Sequence, residues 1–489
     1  MRLPKLIPSN EYLKTQSEDV DILGITADSR KVEPGFLFVA IPGTQHDGRR
    51  FIDEAIRRGA VAVLAPEGTS ALPDGMALVT APDVRMALAE IAARFYPRQP
   101  EFIAAVTGTS GKTSTAQFAR EIWETLGHAS ASIGTLGLVT AKESRYGSLT
   151  TPDAITLHSL LDECAGGGIT HLAMEASSHG LAMHRLDHVH VKAGGFTNLS
   201  RDHLDYHGTM EDYLAAKMRL FSHVLPRGGA AVLNADIPEF EALRQACEKR
   251  GLTIISYGLR GKDLRLVESV PNAEGQTLKL EVFGKPQSIL LPIMGVFQGW
   301  NALCALGLTI ACGADAANAT AALEKISGVP GRLQKIGISP KGGTVFVDYA
   351  HKPGALENVL QAMRPHVAAH PGAKLGVVIG CGGNRDKGKR PLMGGIAQRL
   401  ADWVIVTDDN PRHEDPATIR REILGGFSSD AAQPTEIGDR AESIAEGIKR
   451  LQKHDVLVIA GKGHEPGQIV GDVTLPFDDA DVARKFLGS

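Results

Sequence analysis

No run of this sequence approaches the roughly 18 uninterrupted apolar residues that a membrane span requires, so no membrane partner is expected. The opening Met1-Arg-Leu-Pro-Lys-Leu-Ile-Pro8 lacks a signal-peptide core, which makes the cytoplasm the expected compartment. Cysteine is scarce and scattered: Cys164, Cys247, Cys304, Cys312 and Cys381 form no Cys-x-x-Cys pair. Neither a disulfide framework nor a structural zinc site follows, and free thiols are expected. An excess of one charge is also missing. With 52 Lys and Arg against 56 Asp and Glu, the net charge of −4 gives no sign of a nucleic-acid surface. There is no internal repeat and no low-complexity tract. The expected state is a cytoplasmic monomer.

What is there describes an ordinary soluble globular protein. Hydrophobic content of 43% and charged content of 22% are typical, and 489 residues exceed one core of usual size, so about three domains are expected. Residues 1–97 alternate short apolar runs (Phe36 to Ile41, Ala60 to Ala65) with helix-like segments (Arg49 to Arg58, Val84 to Phe95), the pattern of a small α/β domain. Tyr96-Pro-Arg-Gln-Pro100 then breaks regular structure. Residues 98–329 read as a central parallel-sheet domain of the P-loop mononucleotide-binding type. Within it, residues 254–296 alternate as a small antiparallel subsheet. Residues 330–489 repeat strand candidates at Thr344 to Tyr349, Leu375 to Gly380, Trp403 to Thr407 and Val456 to Ala460, a Rossmann-like doubly wound domain. The fold class is therefore α/β throughout.

The central domain opens on Phe102-Ile-Ala-Ala-Val-Thr-Gly-Thr-Ser-Gly-Lys-Thr-Ser-Thr115, followed by the helix-like Ala116 to Leu126. Strand, Gly-rich turn and helix in this order make a phosphate loop, Gly108-Thr-Ser-Gly-Lys-Thr-Ser114. The N–H groups of Gly108, Thr109, Gly111 and Lys112 are expected to face phosphate at the positive end of the helix dipole. Lys112 would neutralise the β/γ-phosphates and the Thr113 hydroxyl would ligate magnesium. Val106 stands where the common P-loop has its first glycine.

In a parallel sheet, ligands sit beyond the strand C-termini. Glu175, ending Ile169 to Glu175, is thus a metal candidate, as is His203 beyond Ala193 to Asn198. Seven of the 17 histidines fall between His171 and His207, and His184-Arg-Leu-Asp-His-Val-His190 has zinc-like spacing. A nucleotide at Lys112 and Thr113 calls instead for magnesium, which prefers oxygen ligands. Lys217, on a one-sidedly apolar helix, reads by itself as a snorkelling surface lysine. Asp348-Tyr-Ala-His351 and Asp408-Asp-Asn-Pro-Arg412 both follow predicted strands. Asp28-Ser-Arg30 reads equally as a binding loop or a cap. Gly380-Cys-Gly-Gly-Asn-Arg385 is similar to a dinucleotide fingerprint, but no following helix is evident in the sequence.

Together these residues resemble the ATP-dependent Mur ligases, a pattern shared with folylpolyglutamate synthetases. Gly-Thr-x-Gly-Lys-Thr, Glu175-Ala-Ser-Ser178, Asp202-His-Leu-Asp205, Asn301, Gly331-Arg332 and Asp348-Tyr-Ala-His351 carry the resemblance in order along the whole chain. Asp28-Ser-Arg30, Ser177-Ser-His-Gly-Leu181, His184-Arg185, Asp409-Asn-Pro-Arg412 and Gly461-Lys-Gly-His-Glu465 are similar to the diaminopimelate-adding branch. The resemblance implies ATP, Mg²⁺, UDP-N-acetylmuramoyl-L-Ala-D-Glu and meso-diaminopimelate as partners, joined through an acyl phosphate.

By the same resemblance, Lys112, Lys217, His203 and His351 are catalytic, with Lys217 at the position where the family carries a carbamate. Thr113, Glu175, His203 and Lys217 serve the metal. Gly108 to Ser114, Asn301, Arg332 and Asp348 hold ATP. Ser29, Thr44, Gln45, His46, Thr150, Thr151, Ser177, Met183 and Arg185 hold the UDP-sugar peptide, although relatives often carry Gln where Met183 stands. Arg385, Asp409, Asn410, Pro411, Arg412, Gly461 and Glu465 hold the amino acid. The rivals are a lysine-adding ligase, a folylpolyglutamate synthetase and a non-enzymatic P-loop switch. The switch would carry Asn-Lys-x-Asp or Asp-x-x-Gly in strand contexts where neither is found. The folate enzyme would leave Asp28-Ser-Arg30 and Arg412 without a purpose.

Overall fold

Short runs of small and β-branched residues form the strands, and helices cover them on both faces. The structure, a computed structural model, describes all residues except 8–13, 17–19, 44–46, 148, 273, 429, 431 and 489. It contains two compact units, Met1–Leu264 with Leu303–Ala319, and Arg265–Ala302 with Thr320–Ser489.

The first unit holds two sheets. In the N-terminal one, Ala77–Ala81, Ala62–Pro66, Phe36–Val39 and Gly24–Thr26 run parallel in that order, with Lys14–Gln16 antiparallel at the edge beside Ala77–Ala81. The helix Val84–Phe95 starts where the Asp83 carboxylate accepts the N–H groups of Arg85 and Met86. The expected helix from Arg49 to Arg58 is instead a 3₁₀ turn, Gly48–Phe51, leading into Ile52–Arg57, because Asp47 caps the chain early by accepting Arg49 N–H. Asp28 likewise caps the short turn Ser29–Lys31.

The larger sheet has the order Thr253–Gly258, Ala230–Asn234, Val191–Phe196, Phe102–Thr107, His171–Glu175, Ser130–Gly134, all parallel. An antiparallel hairpin, Gly137–Thr140 and Ser144–Arg145, extends its edge. Phe102–Thr107 is central, and the register pairs its end with both neighbours, Glu175 with Val106 and Phe196 with Thr107. Three strand ends therefore open at one level around the loop that begins at Gly108. The following helix, Lys112–Thr125, is buried from Thr113 to Trp123, which explains its alanines and its Phe118 and Trp123.

In the second unit the order is Gln334–Ile338, Thr344–Asp348, Val456–Ala460, Leu375–Ile379, Trp403–Val406, Thr435–Glu436, parallel except at the first edge. Separate apolar clusters pack its two faces, one around Leu356, Leu360 and Ile423, the other around Ile444, Leu451 and Ala483. This is the doubly wound arrangement. Arg440 and Asp479 make a fully buried two-pronged ion pair with both N–O distances at 2.7 Å, and Arg440 also donates to Ala460 O at the end of a central strand.

Two further expectations need correction. The antiparallel stretch does not begin at 254. Thr253–Gly258 is parallel to Ala230–Asn234, because the helix Phe240–Arg250 carries the chain back between them, and its Ile255 and Tyr257 are buried. Antiparallel pairing belongs to Gln276–Val282 with Lys285–Leu291, turned by Phe283 and Gly284 at φ 47° and 76°. A helix, Lys389–Leu400, does follow Gly380 to Arg385. Pro391, Gly394 and Gly395 hide it in the sequence, yet Gly394 is needed, since a Cβ there would meet Ile423 O at 2.2 Å. Among the described residues, no helix is long and apolar enough to cross a membrane.

Candidate active site

The phosphate-loop backbone depends on its glycines. Gly108 sits at φ 141° and Gly111 at φ 88°, where a side chain is strained. A Cβ on Gly108 would also come within 1.9 Å of Thr197 Oγ1. The loop is stitched to the segment after Val191–Phe196. Thr109 N–H donates to Asn198 O, Ser110 N–H donates to Asn198 Oδ1 (both 2.9 Å), and Thr197 Oγ1 donates to Ser110 O at 2.6 Å. The Thr109 N–H is therefore not aimed at phosphate as the sequence implies, because Asn198 takes it. Thr113 is buried one residue into the helix.

Two lysines converge here. Lys112 Nζ donates to Gly108 O and Thr109 O at 2.9 Å, and Lys217 Nζ donates to the same Gly108 O at 2.7 Å. Lys217 is not a snorkelling surface residue. It is 1% exposed, with its Nζ 4.3 Å from the Tyr213 ring centroid. Its helix, Met210–Arg219, turns the apolar side toward the loop, and the lysine lies on that side with Tyr213. Burial, reinforced by the Lys112 charge, pushes the Lys217 amine down to about 6.

Around the end of His171–Glu175 lies a second polar group. Glu175 accepts Thr135 N–H at 2.7 Å and faces Thr135 Oγ1 at 3.3 Å, which in turn meets Thr150 Oγ1 at 3.2 Å. Thr151 Oγ1 donates to Glu175 O and accepts Ser177 N–H, while Ser177 Oγ caps Ser178–Ala182 through Gly180 N–H. Arg185 donates to Thr151 O at 2.7 Å and to the Met183 thioether at 3.1 Å. Met183 thus supports the arginine. Thr150, Thr151, Ser177, Met183 and Arg185 form one connected set with Glu175.

His203 has a left-handed backbone at φ 53°, and its ring packs against His179 and Tyr213. Ser29 lies in the N-terminal sheet region, where it donates to Glu54 at 2.8 Å. Thr44, Gln45 and His46 lie outside the described residues. Among the described residues, no three His, Cys, Asp or Glu side chains cluster as a metal-holding set. His184 is instead engaged by Asp187 at 2.7 Å and Arg219 at 3.0 Å.

In the second unit, Asp348 closes its strand by accepting Leu333 N–H and Ala350 N–H at 2.7 and 2.8 Å. Burial pushes its carboxyl up to about 6, against the pull of Arg332 and these N–H donors. Asn301 Nδ2 donates to Gln298 Oε1, and Gln298 Nε2 reaches Arg332 O at 3.4 Å. His351 Nδ1 lies 2.8 Å from Tyr349 O. A carbonyl only accepts, so Nδ1 carries the proton and Nε2 keeps its lone pair. Burial pushes His351 down to about 4, so it is neutral at pH 7.

The amino-acid candidates also converge. Asn410 Nδ2 donates to Glu465 Oε2 at 2.9 Å, and Asn410 Oδ1 accepts Ile469 N–H and Lys462 Nζ. Asp409 is buried under Gly461, whose added Cβ would lie 2.6 Å from Asp409 Oδ2. Arg412 has φ 51°, fixed by Arg412 N–H to Ile469 O and Gly471 N–H to Arg412 O. Its Nη1 donates to Gly383 O at 3.0 Å. Gly382 separates it from Arg385, since a Cβ there would meet Arg412 Nη1 at 2.7 Å and Arg385 Cγ at 3.8 Å. A side chain on Gly383 would meet Pro411 O at 1.9 Å. Arg385 is exposed and Arg412 half-buried.

Sequence reasoning missed several supports. Tyr213 stands one helical turn before Lys217, a spacing that could have revealed the contact. Asn198, Thr197 and Thr135 act through tertiary contacts that no local signal shows. Tyr349 and Lys462 sit inside quoted motifs without an assigned part.

Comparison with known proteins accounts for this arrangement. Residues 21–96 match the Mur ligase family catalytic domain, 106–309 the Mur ligase middle domain and 331–463 the Mur ligase glutamate ligase domain. A UDP-N-acetylmuramoyl-L-alanyl-D-glutamate–2,6-diaminopimelate ligase of Bradyrhizobium diazoefficiens is 51% identical, with 100% of this chain and 99% of that protein covered. A ligase of the same name from Rhizobium meliloti is 49% identical with both chains fully covered, 100% each. A solved structure of a ligase of that name aligns with a TM-score of 0.72 at 34% identity, covering 96% of this chain and 95% of the other. Three family domains in order along one chain, and relatives that share half its residues from end to end, leave one conclusion: the chain belongs to the Mur ligase family.

Proposed function

We propose that this ligase adds meso-2,6-diaminopimelate to the D-glutamyl γ-carboxylate of UDP-N-acetylmuramoyl-L-Ala-D-Glu, at the expense of ATP, in cytoplasmic peptidoglycan precursor synthesis. The observation that carries the reading is the grouping of Asn410, Glu465 and Arg412 at the strand ends of the second unit, with Arg385 across Gly382. One acid, one amide and two guanidinium groups suit a ligand with an ammonium and a carboxylate at its distal end. The domain spans proposed are 1–97, 98–329 and 330–489, and the three matched family domains support them.

A carboxylate is a poor electrophile, so the γ-carboxylate oxygen attacks the γ-phosphorus of ATP and ADP leaves. The amine then attacks the acyl phosphate carbon, phosphate leaves with the C–O electron pair, and the nitrogen loses a proton to give the amide. Lys112 stabilises the charge spread over the transferring phosphoryl oxygens. Thr150, Thr151, Ser177 and Arg185 orient the sugar peptide, while Asn301, Arg332 and Asp348 hold the nucleotide. Neutral His351 can accept a hydrogen bond at Nε2. Thr113 and Glu175 flank the phosphate loop with hard oxygen donors and would hold Mg²⁺ together with phosphate and water ligands, with His203 as a further candidate. When bound, Mg²⁺ would neutralise phosphate charge.

The test is incubation with the UDP-sugar dipeptide, ATP, Mg²⁺ and a panel of amino acids, with products weighed by mass spectrometry. The expected product carries diaminopimelate, and its absence sinks the reading.

Lys217 is assigned as a carbamate. An amine held at about 6 is neutral at pH 7, as addition to carbon dioxide requires: the N–C bond forms and one proton is released. The product is an anion that can take oxygen-ligand duty beside the loop. Lys217→Ala is expected to lose activity and to recover part of it in short-chain carboxylates. An unmodified amine in electron density of the ligand-bound enzyme would count against the carbamate.

A further inference from the structure

Tyr349 lies between the residues assigned to the nucleotide and those assigned to the amino acid, and touches both. Arg332 Cζ stands 4.8 Å from its ring centroid, while its hydroxyl donates to Glu465 Oε1 at 3.2 Å. The ring is further enclosed by His351 at 4.5 Å and His464 at 4.9 Å, and Arg332 Nη1 lies 3.4 Å from His464 Nδ1. The backbone leaves it little freedom. Tyr349 N–H donates to Gly331 O, and a Cβ on Gly463 would meet Tyr349 Cβ at 2.7 Å. Residues 331–332, 349–351 and 463–465 are thus gathered around one phenol. Burial pushes that hydroxyl up to about 12, so it remains a donor at any working pH.

We propose that Tyr349 is a positioning residue that couples occupancy of the nucleotide site to occupancy of the amino-acid site. The proposal rests on the assignment of Arg332 to ATP and Glu465 to diaminopimelate. A nucleotide that fixes Arg332 fixes the ring beneath it, and the ring sets where the hydroxyl holds Glu465. Glu465 so held presents its second oxygen with Asn410 to the incoming ammonium. By linkage, the amino acid must tighten the nucleotide by the same factor.

Equilibrium titration of diaminopimelate into the enzyme bearing the UDP-sugar dipeptide, with and without a non-hydrolysable ATP analogue, reads this factor. The wild type is expected to bind diaminopimelate at least about fivefold more tightly with the analogue present. Tyr349→Phe keeps the ring over Arg332, so its analogue affinity should match wild type while the diaminopimelate ratio falls to about one. Tyr349→Leu, which removes the ring, should weaken the analogue as well. A purely structural role would lower the melting temperature of Tyr349→Phe and leave the ratio intact. An unchanged ratio in Tyr349→Phe, or a ratio of one in the wild type, overturns the coupling. Failure of the wild type to bind diaminopimelate at all removes the assigned substrate and this inference with it.

Discussion

Lys112→Ala is expected to lower kcat by about 10²–10³-fold or more at saturating ATP, while the melting temperature stays near that of the wild type. The loss follows from where charge develops. Lys112 Nζ is held over the loop mouth by Gly108 O and Thr109 O at 2.9 Å, so its ammonium is already in place before the phosphoryl group moves. A donor fixed in advance acts on the transition state more than on bound ATP, and removing one such donor costs about that factor. The fold should tolerate the change, because Ala at the first turn of Lys112–Thr125 has high helix propensity and Gly111 remains to start the helix. A second consequence separates this lysine from its neighbour. Lys112 helps depress the Lys217 amine, so its removal should raise that amine above about 6 and reduce the neutral fraction available for carbamylation. Carbon-13 NMR under labelled carbon dioxide measures the carbamate directly, and a variant that keeps the carbamate but not turnover isolates the phosphate-binding part. Near-normal turnover at saturating ATP would remove Lys112 from the phosphate site.

Local pattern carried much of this architecture. The helix Val84–Phe95 and the strand Val456–Ala460 end where apolar period and capping chemistry place them, because each is specified by its own residues. The phosphate loop was legible for the same reason, since φ > 0 at Gly108 and Gly111 and a lysine at the helix start are local demands. What escaped was set by partners distant in sequence. Lys217 looks like a surface lysine until Tyr213 and the Gly108 carbonyl close over it, and Gly108 is 109 positions away. The loop alone points Thr109 N–H at a ligand, because nothing in it announces Asn198 as the acceptor. Lys389–Leu400 was masked by glycines that serve packing, where helix Pro416–Leu424 approaches too closely for a side chain. In the amino-acid group, the motif residues were legible one by one. Their mutual contacts, such as Asn410 to Glu465, arise only when two strand ends meet.

Arg412→Ala is expected to raise KM for meso-diaminopimelate by about 10²–10³-fold with little change in KM for ATP. Diaminopimelate differs from lysine by one carboxylate on the distal carbon, and a planar guanidinium can meet that group with two charge-assisted hydrogen bonds. The structure fixes Arg412 at its backbone and at one end of its guanidinium. Arg412 is locked at φ 51° by hydrogen bonds to Ile469 and Gly471, and Nη1 is tied to Gly383 O at 3.0 Å. Truncating one member of a desolvated, hydrogen-bonded charge pair costs about 2–5 kcal/mol, roughly 30- to 5,000-fold, and the expected rise in KM lies inside that span. The same arithmetic governs selectivity. Once the bound amino acid closes water out of the site, lysine would leave Arg412 without an anion, and sites built around such a group reject the truncated analogue by ~10⁴-fold or more. In Arg412→Ala that penalty disappears for lysine while diaminopimelate loses its partner, so the ratio of the two kcat/KM values should collapse toward one. Arg412→Lys should recover only part of the loss, because an ammonium keeps the charge and gives up the two-pronged geometry. Initial rates with both amino acids across the three proteins measure all of this. A wild-type kcat/KM for L-lysine equal to or above that for meso-diaminopimelate would overturn the assignment of Arg412 as the group that selects the substrate.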